Sequence, residues 1–316
     1  MDLSICIVNW NTGDLLRDCI KSIIQNTHEI SYEIIVVDND SSDNSIELLK
    51  PFLAEVNHLR LIEAGRNLGF AGGNNVALDH ASGEFIVLLN PDTLVTAGAL
   101  DLAVKLLKEN PAWGILGPKL LNGDGSLQPS IGQFPTLTGM FWEMTRLRKL
   151  FPRIRLFSSF KRYDMDYDKL QDVEQPSGAC LFVRSAAIER VGLLDLRYFM
   201  YYEEVDWCFR IHNAGWRIVY TPNIKVVHLG GQSSIKNLDV RIVEYARSLL
   251  RYFHKHYGSR PLYLVGLRLV VVLEMLLKLA VLAAGMLLHP KDFSARWSVA
   301  RRHLHVLAMA LGLRPA

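Results

Sequence analysis

The stretch Phe85-Ile86-Val87-Leu88-Leu89-Asn90-Pro91-Asp92-Thr93 constrains this chain more than any other, because a wholly apolar run ends abruptly in a carboxylate. Five consecutive apolar residues after Gly83-Glu84 predict a central strand of a parallel sheet, buried on both faces. In open α/β sheets, ligands sit just beyond the C-terminal edge of such strands. Pro91 has no N–H with which to extend the ladder, so Asp92 is expected to project into the crevice instead of the core. A carboxylate there suits a divalent cation carrying a diphosphate, since a hard ion takes oxygens from one or two acids and from phosphates. It equally suits the turn before a helix starting near residue 97, because turns and caps are common uses of aspartate.

Apolar runs at residues 3–8, 32–37, 59–63 and 113–117 predict four more strands, each separated from the next by a helical pattern of ten or more residues. Strands alternating with helices in this way indicate a doubly wound α/β sheet. The first strand runs into Asn9-Trp10-Asn11, the second into Asp38-Asn39-Asp40-Ser41, and the third into Asn67-Leu68-Gly69-Phe70-Ala71-Gly72-Gly73-Asn74. An acid ending the second strand can receive a ribose or a base edge, or can cap the next helix. The glycines allow close backbone approach to a ligand or serve the turn alone. No GxGxxG follows the first strand and no GxxxxGK[ST] occurs, so a phosphate must be held by metal and dispersed polar groups.

Charge is unevenly distributed along the 316 residues. Residues 241–316 carry 12 Lys/Arg against 3 Asp/Glu, whereas residues 1–240 carry 23 against 29. An acidic front and a basic, apolar rear suggest two jobs. Four cysteines without CxxC spacing read as reduced core residues of a cytosolic protein. The N-terminus opens directly on a strand, and no cleaved leader is expected.

The motifs Ile5-Cys6-Ile7-Val8-Asn9-Trp10-Asn11, Val36-Val37-Asp38-Asn39-Asp40-Ser41, Asn67 to Asn74 and Leu89-Asn90-Pro91-Asp92, in that order, resemble glycosyltransferase family two, of the inverting GT-A fold. The resemblance covers residues 3–235 and is nearest to bacterial rhamnosyltransferases of O-antigen and other cell-surface polysaccharides. It implies a mostly parallel, Rossmann-like sheet flanked by helices, with a catalytic domain over 1–236. Residues 1–118 would form its nucleotide-sugar half and 119–236 its acceptor half. It also implies that Asn9, Asn11, Asp38, Asn39, Asn67, Phe70, Asn74, Asn90 and Asp92 line the donor site. Asn90 replaces the first acid of the family's usual DxD triplet, which leaves Asp92 as that motif's charged ligand for Mg²⁺ or Mn²⁺.

Chemistry returns at Tyr201-Tyr202-Glu203-Glu204-Val205-Asp206, where the apolar spacing of Val205, Cys208 and Phe209 predicts a helix beginning with acids. Such acids often only complement the helix dipole, and Asp206 with Arg210 fits an ordinary i, i+4 pair. In the resembled family this acidic pair carries the general base, and Glu204 aligns with its second member. Glu204 and Asp206 lie about 200° apart around a helix, so both cannot face one hydroxyl. Glu204 is the expected base, Asp206 the alternative, and Glu203 a supporting residue. His228 ends another apolar strand before Leu229-Gly230-Gly231-Gln232-Ser233, placed like Asp92 but equally readable as a lone core histidine. Several enzymes that this chain resembles use such a histidine, and the resemblance makes it the expected second ligand to the same ion.

The expected reaction is sugar transfer, with inversion, from a nucleoside-diphosphate sugar. The resemblance favours dTDP-L-rhamnose ahead of other UDP- or dTDP-hexoses, and a polyprenyl-diphosphate-linked saccharide as acceptor. A non-catalytic nucleotide-sugar-binding subunit should lack the acids at 203–204. A sugar nucleotidyltransferase should open on a Gly- and basic-rich loop, which Ile7-Val8-Asn9-Trp10-Asn11 is not. A basic, aromatic segment over 141–163, with Arg146, Arg148, Lys149, Arg153, Arg155, Lys161 and Arg162, suits an anionic membrane surface, an acceptor diphosphate or a solvated insertion. No nucleic-acid module accompanies it, and no nucleic-acid partner is expected.

Residues 237–316 read as a helical, basic, membrane-associated region on the cytoplasmic face of the bacterial inner membrane, peripheral and not spanning. Residues 262–288 are almost wholly apolar, interrupted by Arg268, Glu274 and Lys278. On a helix these three fall within a polar arc of about 120°, which an interfacial helix can turn to water. Arg296, Arg301, Arg302, His303 and His305 would then face anionic headgroups. A helix packed on the catalytic domain or in an oligomer, or a true span, would use the same residues differently.

Overall fold

The computed structural model describes residues 1–144, 165–230 and 238–313. The basic segment from Arg146 to Arg162 and the residues Gln232 and Ser233 lie outside them. In chain order the first elements are β1 (Leu3–Asn9), α1 (Gly13–Asn26), β2 (Tyr32–Asp38), α2 (Ser45–Glu55), β3 (Leu59–Glu63), α3 (Gly69–Leu78) and β4 (Phe85–Leu89). Then come β5 (Thr93–Val95), α4 (Ala99–Glu109), β6 (Trp113–Leu121), β7 (Ile131–Gly132) and α5 (Leu137–Met144). Next are β8 (Gln171–Asp172), β9 (Gln175–Pro176), β10 (Cys180–Arg184), α6 (Ser185–Val191), α7 (Glu203–Asn213) and β11 (Arg217–His228). Three helices close the described chain: α8 (Leu238–Tyr257), α9 (Pro261–Leu288) and α10 (Phe293–Ala310).

The main sheet runs β3-β2-β1-β4-β10-β6-β11-β5, with β8 also on β11. Its first four strands pair in parallel, as their intervening helices require. β10 then enters antiparallel between β4 and β6, so the fifth predicted strand does not lie directly beside β4. Periodicity could locate β10 but not its neighbours, because a buried apolar strand reads the same in either direction. The apolar runs over 216–220 and 224–227, which read from sequence as two short strands, are one long strand, β11, with a register shift between Thr221 and Lys225.

Alternate residues of each central strand enter different cores. Leu3, Ile5, Ile7, Phe85, Val87 and Leu89 pack with Leu16, Ile20 and Leu100 of α1 and α4 on one face. Cys6, Ile86 and Leu88 pack with Ala71, Trp207 and Ile211 of α3 and α7 on the other. Phe85 to Leu89 are all buried, as a wholly apolar run demands. The close fit of α3 explains its glycines: a Cβ at Gly73 would stand 2.6 Å from Val8 Cγ1. All four cysteines are free and buried.

The chain divides into two compact units, and the division differs from the sequence boundary at 236. One unit comprises residues 1–134, 165–199 and 203–230 of the described chain. The other gathers residues 135–144 and 200–202 with the C-terminal helices. Within it, the Leu137 N–H donates to Tyr263 Oη at 2.6 Å, and Ser248 Oγ donates to the Met200 carbonyl at 3.0 Å. Short-range periodicity cannot reveal such recruitment of distant segments.

Helix α9 corrects one expectation about this second unit. Arg268 is exposed and Lys278 partly so, but Glu274 and Lys278 are not separate charges of an open polar arc. They pair with each other at 2.7 Å, with the Glu274 side chain only 15% exposed. Leu267, Val271 and Met275 are buried beside them, so charge and packing share the inward side. Leu262, Val265, Leu269, Leu276, Val281 and Leu287 are exposed instead. His303 of α10 is buried and does not join exposed Arg301 on the surface, against the expectation that both face headgroups.

Candidate active site

The first unit brings Asp92 and His228 together by strand register. β5 pairs antiparallel with the end of β11, placing His228 opposite Thr93, and the Leu229 N–H donates to the Asp92 carbonyl at 2.9 Å. His228 Nε2 and Asp92 Oδ1 stand 3.3 Å apart. Nε2 is buried yet has no hydrogen-bond partner. Two ligand atoms converging without bonding to each other suit a shared cation, and an imidazole nitrogen with a carboxylate oxygen suits Mn²⁺ or Mg²⁺. Asp92 is 6% exposed, so it is set into the site more deeply than a carboxylate projecting freely into a crevice. Among the described residues no cluster of three or more metal-ligating side chains occurs.

The turn carrying Asp92 is held from several sides. Thr93 Oγ1 donates to the Asn90 carbonyl at 2.7 Å, and the Asn90 N–H donates to the Ala179 carbonyl at 2.9 Å. The stretch Ser177-Gly178-Ala179 therefore borders the Asp92 turn, and its other side meets the predicted base. A Cβ on Gly178 would lie 3.4 Å from Glu204 Cγ and 3.6 Å from Phe70 Cζ. Phe70 thus approaches the same place, its backbone fixed by a bond from its N–H to the Phe199 carbonyl at 2.9 Å.

The acids of α7 divide by role. Asp206 is fully buried, and its Oδ2 accepts from Arg210 Nε at 2.8 Å. Arg210 in turn donates to the Val191 carbonyl at 2.6 Å and the Leu193 carbonyl at 2.8 Å, closing the end of α6. Glu204 has a buried Oε2 without a hydrogen-bond partner. Burial pushes its carboxyl above the usual carboxylate range, outweighing the opposing pull of backbone N–H groups at the helix start. Glu203 is buried beside it in sequence and occupies the first turn. Tyr201 and Tyr202 lead into that turn with φ of 70° and 71°, a left-handed conformation that costs non-glycine residues about 1–3 kcal/mol each.

The strand-end asparagines and aspartate form a network more than a row of free ligands. Asn9 Nδ2 donates to Asp38 Oδ1 at 2.7 Å and to Ser41 Oγ at 3.0 Å, while Thr12 Oγ1 donates to Asn9 Oδ1 at 2.7 Å. Asp38 Oδ2 also accepts from the Ser41 N–H at 2.9 Å. Asn11, at φ 56°, accepts the Ser42 N–H at 2.7 Å. Asn39 Nδ2 donates to the Gly69 carbonyl at 2.9 Å, and its buried Oδ1 has no hydrogen-bond partner. Asn67 Oδ1 accepts the Gly69 N–H, and Asn74 donates to the Phe70 carbonyl, each at 2.9 Å. Thr12 and Gln128 were not legible as site residues. Gln128 accepts from His228 Nδ1 at 2.7 Å across a hundred residues of sequence, which no local pattern can signal.

The family model for glycosyl transferase family 2 matches residues 4–189, and the chain belongs to that family. It is 29% identical over 249 residues to the N-acetylglucosaminyl-diphospho-decaprenol L-rhamnosyltransferase of Mycobacterium tuberculosis, covering 72% of this chain and 75% of that one. It is 28% identical over 225 residues to the rhamnosyltransferase WbbL of Escherichia coli, covering 67% and 79%. Its fold is similar to that of the mannosyltransferase PcManGT from Pyrobaculum calidifontis in complex with GDP-Man and Mn²⁺. That likeness has a TM-score of 0.57 at 17% identity and covers 97% of this chain and 86% of that one. The protein is a glycosyltransferase of GT-A type.

Replacing Asp206 with Asn leaves Arg210 without its charge partner at a buried site. The expected loss is about 3–5 kcal/mol of stability, read by denaturant unfolding. Unchanged stability with abolished turnover would instead place Asp206 at the substrate.

Proposed function

We propose that this protein transfers L-rhamnose, with inversion, from dTDP-L-rhamnose to a polyprenyl-diphosphate-linked saccharide during synthesis of a bacterial surface polysaccharide. The observation that carries the reaction class is the Glu204 carboxylate at Gly178, whose buried Oε2 has no hydrogen-bond partner, in a stretch that also holds the Asp92 turn. The two rhamnosyltransferases named above support the choice of sugar, and the decaprenol-linked substrate in one of their names supports the acceptor class.

The steps follow from where charge develops. A divalent cation held by Asp92 and His228 would offset charge on the departing nucleoside diphosphate. The Asn9–Asp38–Ser41 network orders the loops that receive the nucleotide, and Asn39 Oδ1 is a spare acceptor among them. Glu204 takes the proton of the acceptor hydroxyl as that oxygen attacks the anomeric carbon from the face opposite the diphosphate. A single displacement inverts the configuration. A carboxyl already disfavoured as an anion by burial is a stronger base than a solvated one.

The apolar outer side of α9 supports attachment to the cytoplasmic face of the inner membrane. This helix, Pro261–Leu288, is long and apolar enough to cross a membrane by length and composition. Its inward side is occupied by packing and by the Glu274–Lys278 pair, which favours a helix lying in the interface with one side in lipid.

Glu204→Gln should lower turnover about a hundredfold or more, with donor binding little changed. In the native enzyme, activity should fall as pH drops through a Glu204 ionisation lying above the ordinary glutamate range. Because burial raises this pKa in the folded state, ionisation of Glu204 costs stability as pH rises, and Glu204→Gln should unfold no more easily than the parent. A variant with near-normal turnover removes Glu204 as the base.

A panel of dTDP-L-rhamnose, UDP-hexoses and dTDP-hexoses, read by nucleotide release with and without EDTA, tests the donor and metal assignments. Turnover of a UDP-hexose alone rejects rhamnose while leaving glycosyl transfer standing. Full activity without bound metal rejects the Asp92–His228 site as a catalytic one.

Flotation of the full chain with anionic liposomes tests attachment, and Leu269→Glu with Leu276→Glu should abolish it. A wild-type chain that remains unbound without detergent rules the membrane out.

A further inference from the structure

The hairpin after β6 makes a chain of amide contacts that ends on the ring of His228. Residues 122–126 fold back, with the Asn122 N–H donating to the Ser126 carbonyl at 2.8 Å and Gly125 at φ 81°. The Gln128 N–H then returns to the Leu120 carbonyl at 2.9 Å, which holds the Gln128 backbone against the end of β6. Two backbone carbonyls settle which end of each side-chain amide points where, because a carbonyl can only accept. Asn122 Nδ2 lies 3.3 Å from the Leu127 carbonyl, so that atom is the donor and Asn122 Oδ1 is free to accept. Gln128 Nε2 lies 3.1 Å from the His228 carbonyl and 2.9 Å from Asn122 Oδ1, and both contacts require it to be nitrogen. The atom 2.7 Å from His228 Nδ1 is therefore the Gln128 amide oxygen.

An amide oxygen has no proton to give, so His228 Nδ1 must carry the hydrogen. In the neutral ring Nε2 is then an unprotonated lone pair, and Nε2 is the atom 3.3 Å from Asp92. We propose that Gln128, oriented by Asn122, is a positioning residue that locks His228 in the Nδ1–H tautomer and so keeps Nε2 ready to bind a divalent cation. The opposite tautomer would point Nε2–H at Asp92, closing the position as a direct hydrogen bond. Metal-binding histidines generally depend on such an acceptor behind the ring, and its loss typically weakens metal affinity 10–100-fold. Gln128 acts through the His228 ring, which its amide oxygen meets. The inference rests on the metal reading of the Asp92–His228 pair for its consequence, but the tautomer itself does not.

Two measurements on the full chain test it. The first is nitrogen chemical shifts of ¹⁵N-histidine-labelled, metal-free protein, with His228 assigned by its loss in His228→Gln. The Nδ1–H tautomer is expected, and an Nε2–H tautomer in the parent overturns the proposal. The second is Mn²⁺ affinity, read from the free-ion signal in electron paramagnetic resonance with no sugar present. Gln128→Leu should weaken binding about 10–100-fold, while Gln128→Glu, which still accepts from Nδ1–H, should stay close to the parent. A folded Gln128→Leu protein with unchanged affinity, or a folded Gln128→Glu protein as weak as Gln128→Leu, overturns it. If Gln128→Leu does not fold, the parent tautomer and the Gln128→Glu affinity decide. A parent that binds no Mn²⁺ but shows the Nδ1–H tautomer overturns the metal reading and leaves the tautomer lock standing.

Discussion

The antiparallel pairing of Thr93–Val95 with Val226–His228 is the constraint on which the site depends. Asp92 and His228 are each an ordinary strand-end residue, and the intervening sequence exceeds a hundred residues. The pairing removes the freedom between them, because a sheet register fixes side-chain placement to within one residue and a slip would turn His228 to the other face. The backbone bond from Leu229 to Asp92 secures that register at the very position where chemistry is expected. The central strand β4 supplies the rigid base, since burial on both faces leaves it no lateral motion.

Burial then sorts the acids of α7 into two kinds. Asp206 and Glu204 stand on opposite sides of one helix, and only one of those sides offers a counter-charge. Asp206 meets Arg210, which is further held by carbonyls at the end of α6, so its charge is offset by a bonded network. Glu204 retains a buried oxygen without a hydrogen-bond partner, and burial raises its pKa, a combination that clusters at functional sites. The positive φ at Tyr201 and Tyr202 places backbone strain just ahead of these acids in sequence.

Much of this was legible in sequence wherever the signal is local. The first four strands and their helices follow from apolar runs and caps, because burial on two faces writes itself into consecutive residues such as Phe85 to Leu89. The strand-end placement of Asp92 and His228 followed for the same reason. What stayed hidden depends on pairing across the chain. The insertion of β10 beside β4, the fusion of two short runs into β11, and the membership of residues 135–144 and 200–202 in the second unit are choices among partners, and no local period encodes a partner. Gln128 is hidden for a sharper reason: its role lies in which amide atom accepts a hydrogen bond, and that is set by the carbonyls of Leu127 and His228.

The charges of α9 show how packing can modify a correct sequence observation, since Arg268 stays exposed while Glu274 is largely covered. Arg268, Glu274 and Lys278 do share one side of the helix, but an i, i+4 pair of opposite charge can satisfy itself and needs no open water. Once Glu274 and Lys278 bond to each other, their side can pack beside Leu267, Val271 and Met275, and the apolar side is left outward. Leaving large aliphatic side chains such as Leu262, Leu269 and Leu287 in water forgoes about 1.5–3 kcal/mol for each one that could be fully buried. The lipid interface proposed above would offset that exposure without requiring any charge to enter the hydrocarbon.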